Sequence, residues 1–286
     1  MDPSVLTDAC QQTGLRHDDA RLLRAHSASV YLLPSERAIA RISRKEHRGL
    51  RAAASVMVAQ WLVSQGFPAT EPLLDHPVEF GDTTVTFWVY YPQPDRGDPP
   101  ARELGALLRM LHTLPRPPLE LPAYQPLAGL QHALHNPGTL SASDLAWLTD
   151  RAAAVIEQYH QLESHLGVGF VHGDAYTGNT LWGPHGVLLG DWDEASIAPR
   201  ELDLINVYQD VRYGTPESEL DEFTYAYGWD VRDWDGFTVL RDMRDLHTLT
   251  GFIRRSSHDP AIAAELQLRI EVLRNPDDTR LWHAAT

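Results

Sequence analysis

Apolar positions recur along the chain in two periods, and the switch between them divides it. Short apolar runs at 30–33 and 38–43 flank Pro34-Ser35-Glu36-Arg37, which predicts a strand, a turn and a strand. Over 46–65, Ala53, Val56, Met57, Gln60, Trp61 and Ser64 fall at helical spacing, and Gly66-Phe67-Pro68 stops the helix. A further strand is expected at 71–74. Gly81-Asp82 sits between the runs 77–80 and 83–91, a hairpin signal, and TTVTFWVYY in the second run is rich in β-branched and aromatic residues. Two short helices are expected near the start, at 3–14 and 17–24.

The segment PQPDRGDPP, residues 92–100, cannot continue a sheet, and it reads as a hinge between a lobe at 1–91 and a second lobe at 101–286. Beyond it the 3.6-residue period dominates. Helices are expected at 101–114, 142–165, 200–213, 216–227, 234–255 and 260–273. Within 144–166, Leu145, Leu148, Ala152, Val155, Ile156, Tyr159 and Leu162 form one apolar side. The pattern implies an α+β chain with a small antiparallel-sheet lobe followed by a mostly helical one. Only 168–198 interrupts the helical lobe.

Composition narrows the classes. The 286 residues are 43% hydrophobic and 22% charged, as in a globular protein. A formal charge of -15 repels nucleic acid and anionic membrane; it can attract a cationic ligand or serve solubility alone. Cys10 is the single cysteine, so neither an intrachain disulfide nor a cysteine zinc site can form. No signal peptide and no apolar run of 18 residues is visible, so a cytoplasmic location without a membrane span is expected.

Residues 168–198 read VGFVHGDAYTGNTLWGPHGVLLGDWDEASIA. An apolar run leads into His172-Gly173-Asp174, and Asn179 follows five residues after Asp174. A hairpin around Gly183-Pro184-His185-Gly186 then delivers Asp191, followed by Trp192 and Asp193. A carboxylate and an amide oxygen suit Mg²⁺, a hard cation that bridges phosphate oxygens, and Asn179 and Asp191 supply that pair. Asp174 is placed to accept a proton from an attacking hydroxyl. A rigid hairpin between the two ligands would hold them around one cation. In turns, Asp and Asn also cap backbone groups, the bland alternative for Asp174 and Asn179.

His172-Gly173-Asp174, Asn179 and Asp191-Trp192-Asp193 resemble, in order and spacing, the catalytic segment of the aminoglycoside phosphotransferase and choline kinase-like family, more distant relatives of protein kinases. The likeness extends to the helix with Leu111-His112 and to Pro199-Arg200-Glu201-Leu202-Asp203-Leu204. It implies a two-lobed, protein-kinase-like fold and transfer of the γ-phosphoryl group of ATP or GTP, with Mg²⁺, to a hydroxyl of an aminoglycoside-like or other small acceptor. Antibiotic resistance is one role such an activity could serve. The resemblance also implies that Asp174 is the catalytic base, that His172 supports the loop, and that Asp203 steadies it.

The same resemblance implies a nucleotide site made by Ser27 and Ser29 in the loop between the first two strands, Arg41 where the family has lysine, Trp88 at the back of the base pocket, and the backbone of Val89 and Tyr91 at the base edge. Arg41 could instead lie on the solvent face of its strand. Ser55 stands where an acidic partner is expected, with Glu46 farther toward the N-terminus. For the acceptor, the acidic and aromatic stretch holding Asp230, Trp234 and Asp242 suggests a site for a cationic compound, although interleaved arginines also fit helix salt bridges. Arg41 and Ser55 keep open a second reading, a degenerate kinase that binds nucleotide or metabolite and acts through a partner.

Overall fold

The computed structural model describes residues 3–25, 28–95 and 97–284, the side chains of residues 3 and 45–51 excepted. It begins with α1 (Pro3–Thr13), β1 (Arg21–Ala25), β2 (Ser29–Leu33), β3 (Ala38–Arg44), α2 (Lys45–Ser64), β4 (Val78–Phe80) and β5 (Thr83–Val89). The strands form one antiparallel sheet in the order β1-β2-β3-β5-β4. One small core lies between α1 and the sheet, where Leu6, Ala9 and Cys10 meet Leu33, Ala40, Ile42, Val85 and Phe87. Burial, helped by the charge of Glu36, pushes the Cys10 thiol up to about 11, so it packs as an inert apolar group.

The second part carries α3 (Ala101–Leu111), α4 (Ala128–Leu134), α5 (Ala142–His160), β6 (Val168–Val171), β7 (Thr180–Gly183), β8 (Gly186–Leu189), β9 (Ser196–Pro199), α6 (Leu202–Gln209), α7 (Glu217–Tyr227), α8 (Phe237–Arg255) and α9 (Pro260–Arg274). β6 pairs with β9, and β7 with β8. The main apolar core runs through these helices and takes in Val56, Val58, Ala59 and Leu62 of α2. Trp61 meets Phe170 edge-on at 5.7 Å, and Phe67 meets Trp192 at 5.9 Å. The helix of the sheet lobe and the turn after it are thus packed directly onto the segment 168–198.

Several elements differ from expectation. Residues 17–24 do not form a helix: Arg21–Ala25 is an exposed edge strand on β2, with Arg21 opposite Leu32. Asp19 accepts from the Ser35 amide and hydroxyl, which directs the chain into that pairing. At 71–74 the chain forms only isolated contacts with β5, Leu73 N–H to Phe87 O and Val89 N–H to Glu71 O. Pro72 has no N–H, which prevents a continuous ladder. The expected helix at 200–213 stops at Gln209, and Asp210–Tyr213 tightens into a 3-10 turn closed by Gly214 at φ 88°. The seven-residue α4 carries too little periodicity to be read from sequence.

The C-terminal residues are fastened to the helices. Trp282 is 3% exposed, and its N–H donates to the Arg212 carbonyl at 2.7 Å. Arg269, 1% exposed, lies 3.9 Å from the Phe252 ring centre and 4.7 Å from that of Trp282, with Nε on Glu265 at 2.8 Å. Stacking and ion pairing together compensate the desolvated guanidinium. Nearby, burial pushes Asp210 up to about 6, against the charge of Arg244, which lowers it.

Two outcomes follow. Trp282→Ala removes the ring that closes the Arg269 stack and lowers folding stability by about 3–5 kcal/mol in chemical denaturation. Asp210 is more easily ionised unfolded than folded, so its favourable contribution exists below about pH 4 and is lost as pH rises through about 6. Asp210→Asn therefore stabilises the fold at pH 7.5, by on the order of 2 kcal/mol, and not at pH 4, as thermal melts at the two pH values would show.

Candidate active site

The loop between β6 and β7 is held by one buried carboxylate. Asp203 of α6 is 0% exposed and accepts from the amides of His172 and Gly173, both at 2.8 Å. His112, at the end of α3, adds a third bond to Asp203 at 3.1 Å, and its other ring nitrogen pairs with the Tyr227 hydroxyl. Gly173 is required here: its φ is +85°, and a Cβ would stand 2.2 Å from the Glu194 carbonyl oxygen. His172, fully buried, donates through Nε2 to Gly190 O at 2.8 Å and accepts the Asp174 amide at Nδ1. It packs 4.5 Å from the Trp192 ring, so it ties the loop to the segment entering Asp191.

Asp174, Asn179 and Asp191 come together through these bonds. The Asn179 side-chain amide donates to the Asp174 carbonyl at 2.9 Å, which leaves its oxygen as the end available to a cation. The Gly190 amide donates to the Asn179 carbonyl at 2.9 Å, so the residue before Asp191 is bonded to Asn179 across the β7–β8 hairpin. Asp191 takes the left-handed conformation, φ 60°, which places its carboxylate where a continued strand would not.

Arg41 projects from β3 into this cluster. Its Nη1 is 3.0 Å from Asp191 and its Nη2 is 2.7 Å from Asp193. Burial opposes its charge, but Asp193 and then Asp191 outweigh burial and hold the proton more firmly than usual. Arg41 thus faces inward, not toward solvent. Ser55 on α2 is buried, its hydroxyl has no hydrogen-bond partner among the described residues, and an uncharged hydroxyl offers Arg41 no ion pair. The Glu46 side chain lies outside the described residues.

On the nucleotide side, Trp88 is 9% exposed and donates to the Thr86 hydroxyl at 2.9 Å, as part of the main core. The Val89 amide is bonded to Glu71 O, and the Tyr91 hydroxyl donates to the Glu71 carboxylate at 3.1 Å. Burial, with the Glu71 charge, pushes that phenol up to about 12. Gln93 accepts the Trp182 amide, and the Trp182 indole donates to Gly97 O, so the linker is bonded to the β7–β8 hairpin. Ser29 opens β2, buried opposite Ile42 and Ala25. Ser27 lies outside the described residues.

On the other side of Asp174 a cleft of about 20 Å³ is lined by Tyr124, Glu194, Asn206, Arg244 and His247. Arg244 donates to Asp174 Oδ1 at 2.8 Å and Asn206 to the same oxygen at 3.3 Å. Asp230, Trp234 and Asp242 do not line this cleft. Asp230 caps a turn and pairs with Arg232, the Trp234 indole donates to Glu163 O, and Asp242 pairs with Arg151 and Arg241. Asn206 could have been found in the sequence, one helical turn after Asp203. Tyr124, Arg244 and His247 carry no local signal.

The donor set suits a small hard cation. One carboxylate and one amide oxygen, completed by phosphate oxygens, is how Mg²⁺ is usually held. Accordingly, no group of three or more His, Cys, Asp or Glu among the described residues could hold a metal alone. No helix among them is long and apolar enough to cross a membrane.

Known structures share this architecture. Amicoumacin kinase hAmiN, in complex with AMP-PNP, Ca²⁺ and Ami, superposes with a TM-score of 0.77 at 13% identity, covering 99% of this chain and 96% of its own. The microcompartment-associated aminopropanol kinase gives 0.73 at 15% identity, with 95% of each chain covered. Aminoglycoside phosphotransferase APH(3'')-Id from Streptomyces rimosus, with ADP and streptomycin, gives 0.63 at 16% identity, over 86% of this chain and 99% of its own. A search of curated proteins finds no match. At such identities the structures establish the fold, a two-lobed kinase-like α+β architecture. The model of the phosphotransferase enzyme family matches residues 19–240, spanning the sheet, the Asp174 loop, the Asp191 hairpin and the helices behind them, and the chain belongs to that family, whose members transfer phosphoryl groups to hydroxyl acceptors.

Proposed function

We propose that the protein is a small-molecule kinase in which Asp174 receives the acceptor's proton and Asn179 and Asp191 hold Mg²⁺ beneath the phosphates of ATP or GTP. The observation that carries this reading is the bonding of Asn179 to the Asp174 carbonyl on one side and to Gly190 on the other, which gathers a base and two hard ligands at one point. When bound, the cation would supply charge neutralisation at the β- and γ-phosphates.

The residues of the chain divide the remaining work. Arg244 and Asn206 both bond Asp174 Oδ1, and no described residue bonds Oδ2, which is left for the acceptor hydroxyl. The hydroxyl oxygen forms the new P–O bond as the bond from the γ-phosphorus to the bridging oxygen breaks. The proton passes to Asp174 and the nucleoside diphosphate leaves. Arg41 can bind phosphate oxygens with the same fork that now holds Asp191 and Asp193. Trp88, Val89 and Tyr91 flank the base, near the bonded contact of Gln93 with Trp182. The acceptor is a small hydroxylated compound.

The Arg41 contacts also favour a second reading. A guanidinium paired with Asp191 competes with a cation for that carboxylate, as a degenerate nucleotide binder would permit. Turnover separates the two. Asp174→Asn is expected to lower kcat by about 10²–10⁴-fold with nucleotide affinity little changed, as followed by phosphorylated product. Asp191→Ala is expected to abolish the Mg²⁺ dependence of nucleotide binding in calorimetry. Nucleotide binding without transfer to any hydroxylated compound, unchanged by Asp174→Asn, would support the binder instead. Arg41→Ala is expected to raise the KM for nucleotide about tenfold or more while leaving the acceptor KM nearly unchanged.

A further inference from the structure

The acids that suggested a cationic acceptor are already paired with arginines. Asp221 and Asp230 share Arg232, Asp242 meets Arg151 and Arg241, and Asp245 meets Arg212. What stands beside Asp174 is a cation. On α8, Leu240, Met243, Arg244 and His247 occupy one face at i, i+3, i+4 and i+7, and all line the cleft.

Arg244 is aimed by a bonded support. Its Nε donates to the Gln209 side-chain oxygen at 3.2 Å. The Gln209 amide donates to Asp245 Oδ1 at 2.9 Å, and Arg212 holds Asp245 Oδ2 at 2.8 Å. Asp245 is fully buried, Gln209 nearly so, and Trp282 packs over Arg212, whose guanidinium lies 5.1 Å from the ring centre. This network fixes a guanidinium that is only 17% exposed. Nη1 meets Asp174, and no described residue bonds Nη2. The Nη2 N–H pair opens onto the cleft beside Asp174 and can meet an oxygen acceptor from a ligand.

Resting on the kinase reading above, we infer that the acceptor carries a carboxylate close to its reacting hydroxyl, and that Arg244 binds that carboxylate while Asp174 Oδ2 takes the hydroxyl proton. A free ammonium group in the same place would meet the guanidinium at like charge. The acids near Arg244, which are Asp174, Glu194 and Asp210, outnumber its single charge, so the site holds no surplus positive charge for a phosphate dianion.

The test is a panel of hydroxylated carboxylic acids, each paired with its primary amide, beside neutral polyols and amino alcohols, with phosphorylated product read by mass shift. The acid of a productive pair is expected to exceed its amide in kcat/KM by about tenfold or more. Arg244→Gln is expected to erase that ratio through the KM of the acid, and Arg244→Lys to restore part of it. Binding of Mg²⁺–AMP-PNP, measured separately, reports that each variant is folded. Phosphorylation of neutral or cationic alcohols in preference to acids would overturn the inference and leave the kinase reading standing. Equal losses for acid and amide, all in kcat, would reduce Arg244 to a support for Asp174 and also overturn it. If no compound of any charge is phosphorylated, the kinase reading falls and this inference with it.

Discussion

The Asp203 carboxylate is the contact on which the site depends. A buried carboxylate is costly to desolvate unless its lone pairs are met, and here two backbone amides and one imidazole meet them. The two amides belong to the residues just before Asp174, so the direction of the loop is set from α6. The imidazole belongs to α3, which makes the helical core and the loop one rigid body. Gly173 admits the turn because no side chain fits against Glu194 O, and His172 carries the constraint on to Gly190.

From that anchor the site is organised by charge. Two arginines reach it, Arg41 from the sheet and Arg244 from α8, and each pairs with a carboxylate to which the proposed mechanism gives a role. Their settings differ. Arg41 contacts two carboxylates through a fork, a geometry that also suits phosphate. Arg244 is held at Nε by a buried network and contacts one oxygen of Asp174, leaving the other open. The first arrangement is built to exchange partners; the second is built to stay in place.

What the sequence disclosed follows from how local each feature is. Asp174, Asn179 and Asp191 lie within eighteen residues, on a strand, a loop and a hairpin whose turns are written in glycine and proline, so their spacing was readable. The sheet from β2 to β5 and most helices were legible for the same reason. β1 was not, because Arg21–Ala25 becomes a strand through pairing with β2, a tertiary effect that outweighs its own propensity. The acceptor side was less legible because a count of acids does not show which arginine each one meets. Asp230 and Asp242 look available along the chain and are paired in space, whereas Arg244, which resembles one more helix salt-bridge partner, stands at the reacting group.

The central claim is that Asn179 and Asp191 grip one cation with Asp174 facing the acceptor. A crystal structure with Mn²⁺ and a non-hydrolysable nucleoside triphosphate, read by the anomalous signal of the metal, tests it most directly. The account predicts a peak close to the usual metal–oxygen distance, about 2.1 Å, from the Asn179 side-chain oxygen and an Asp191 carboxylate oxygen, with the γ-phosphate facing Asp174. A metal bound elsewhere, or phosphates lying away from Asp174, would contradict it.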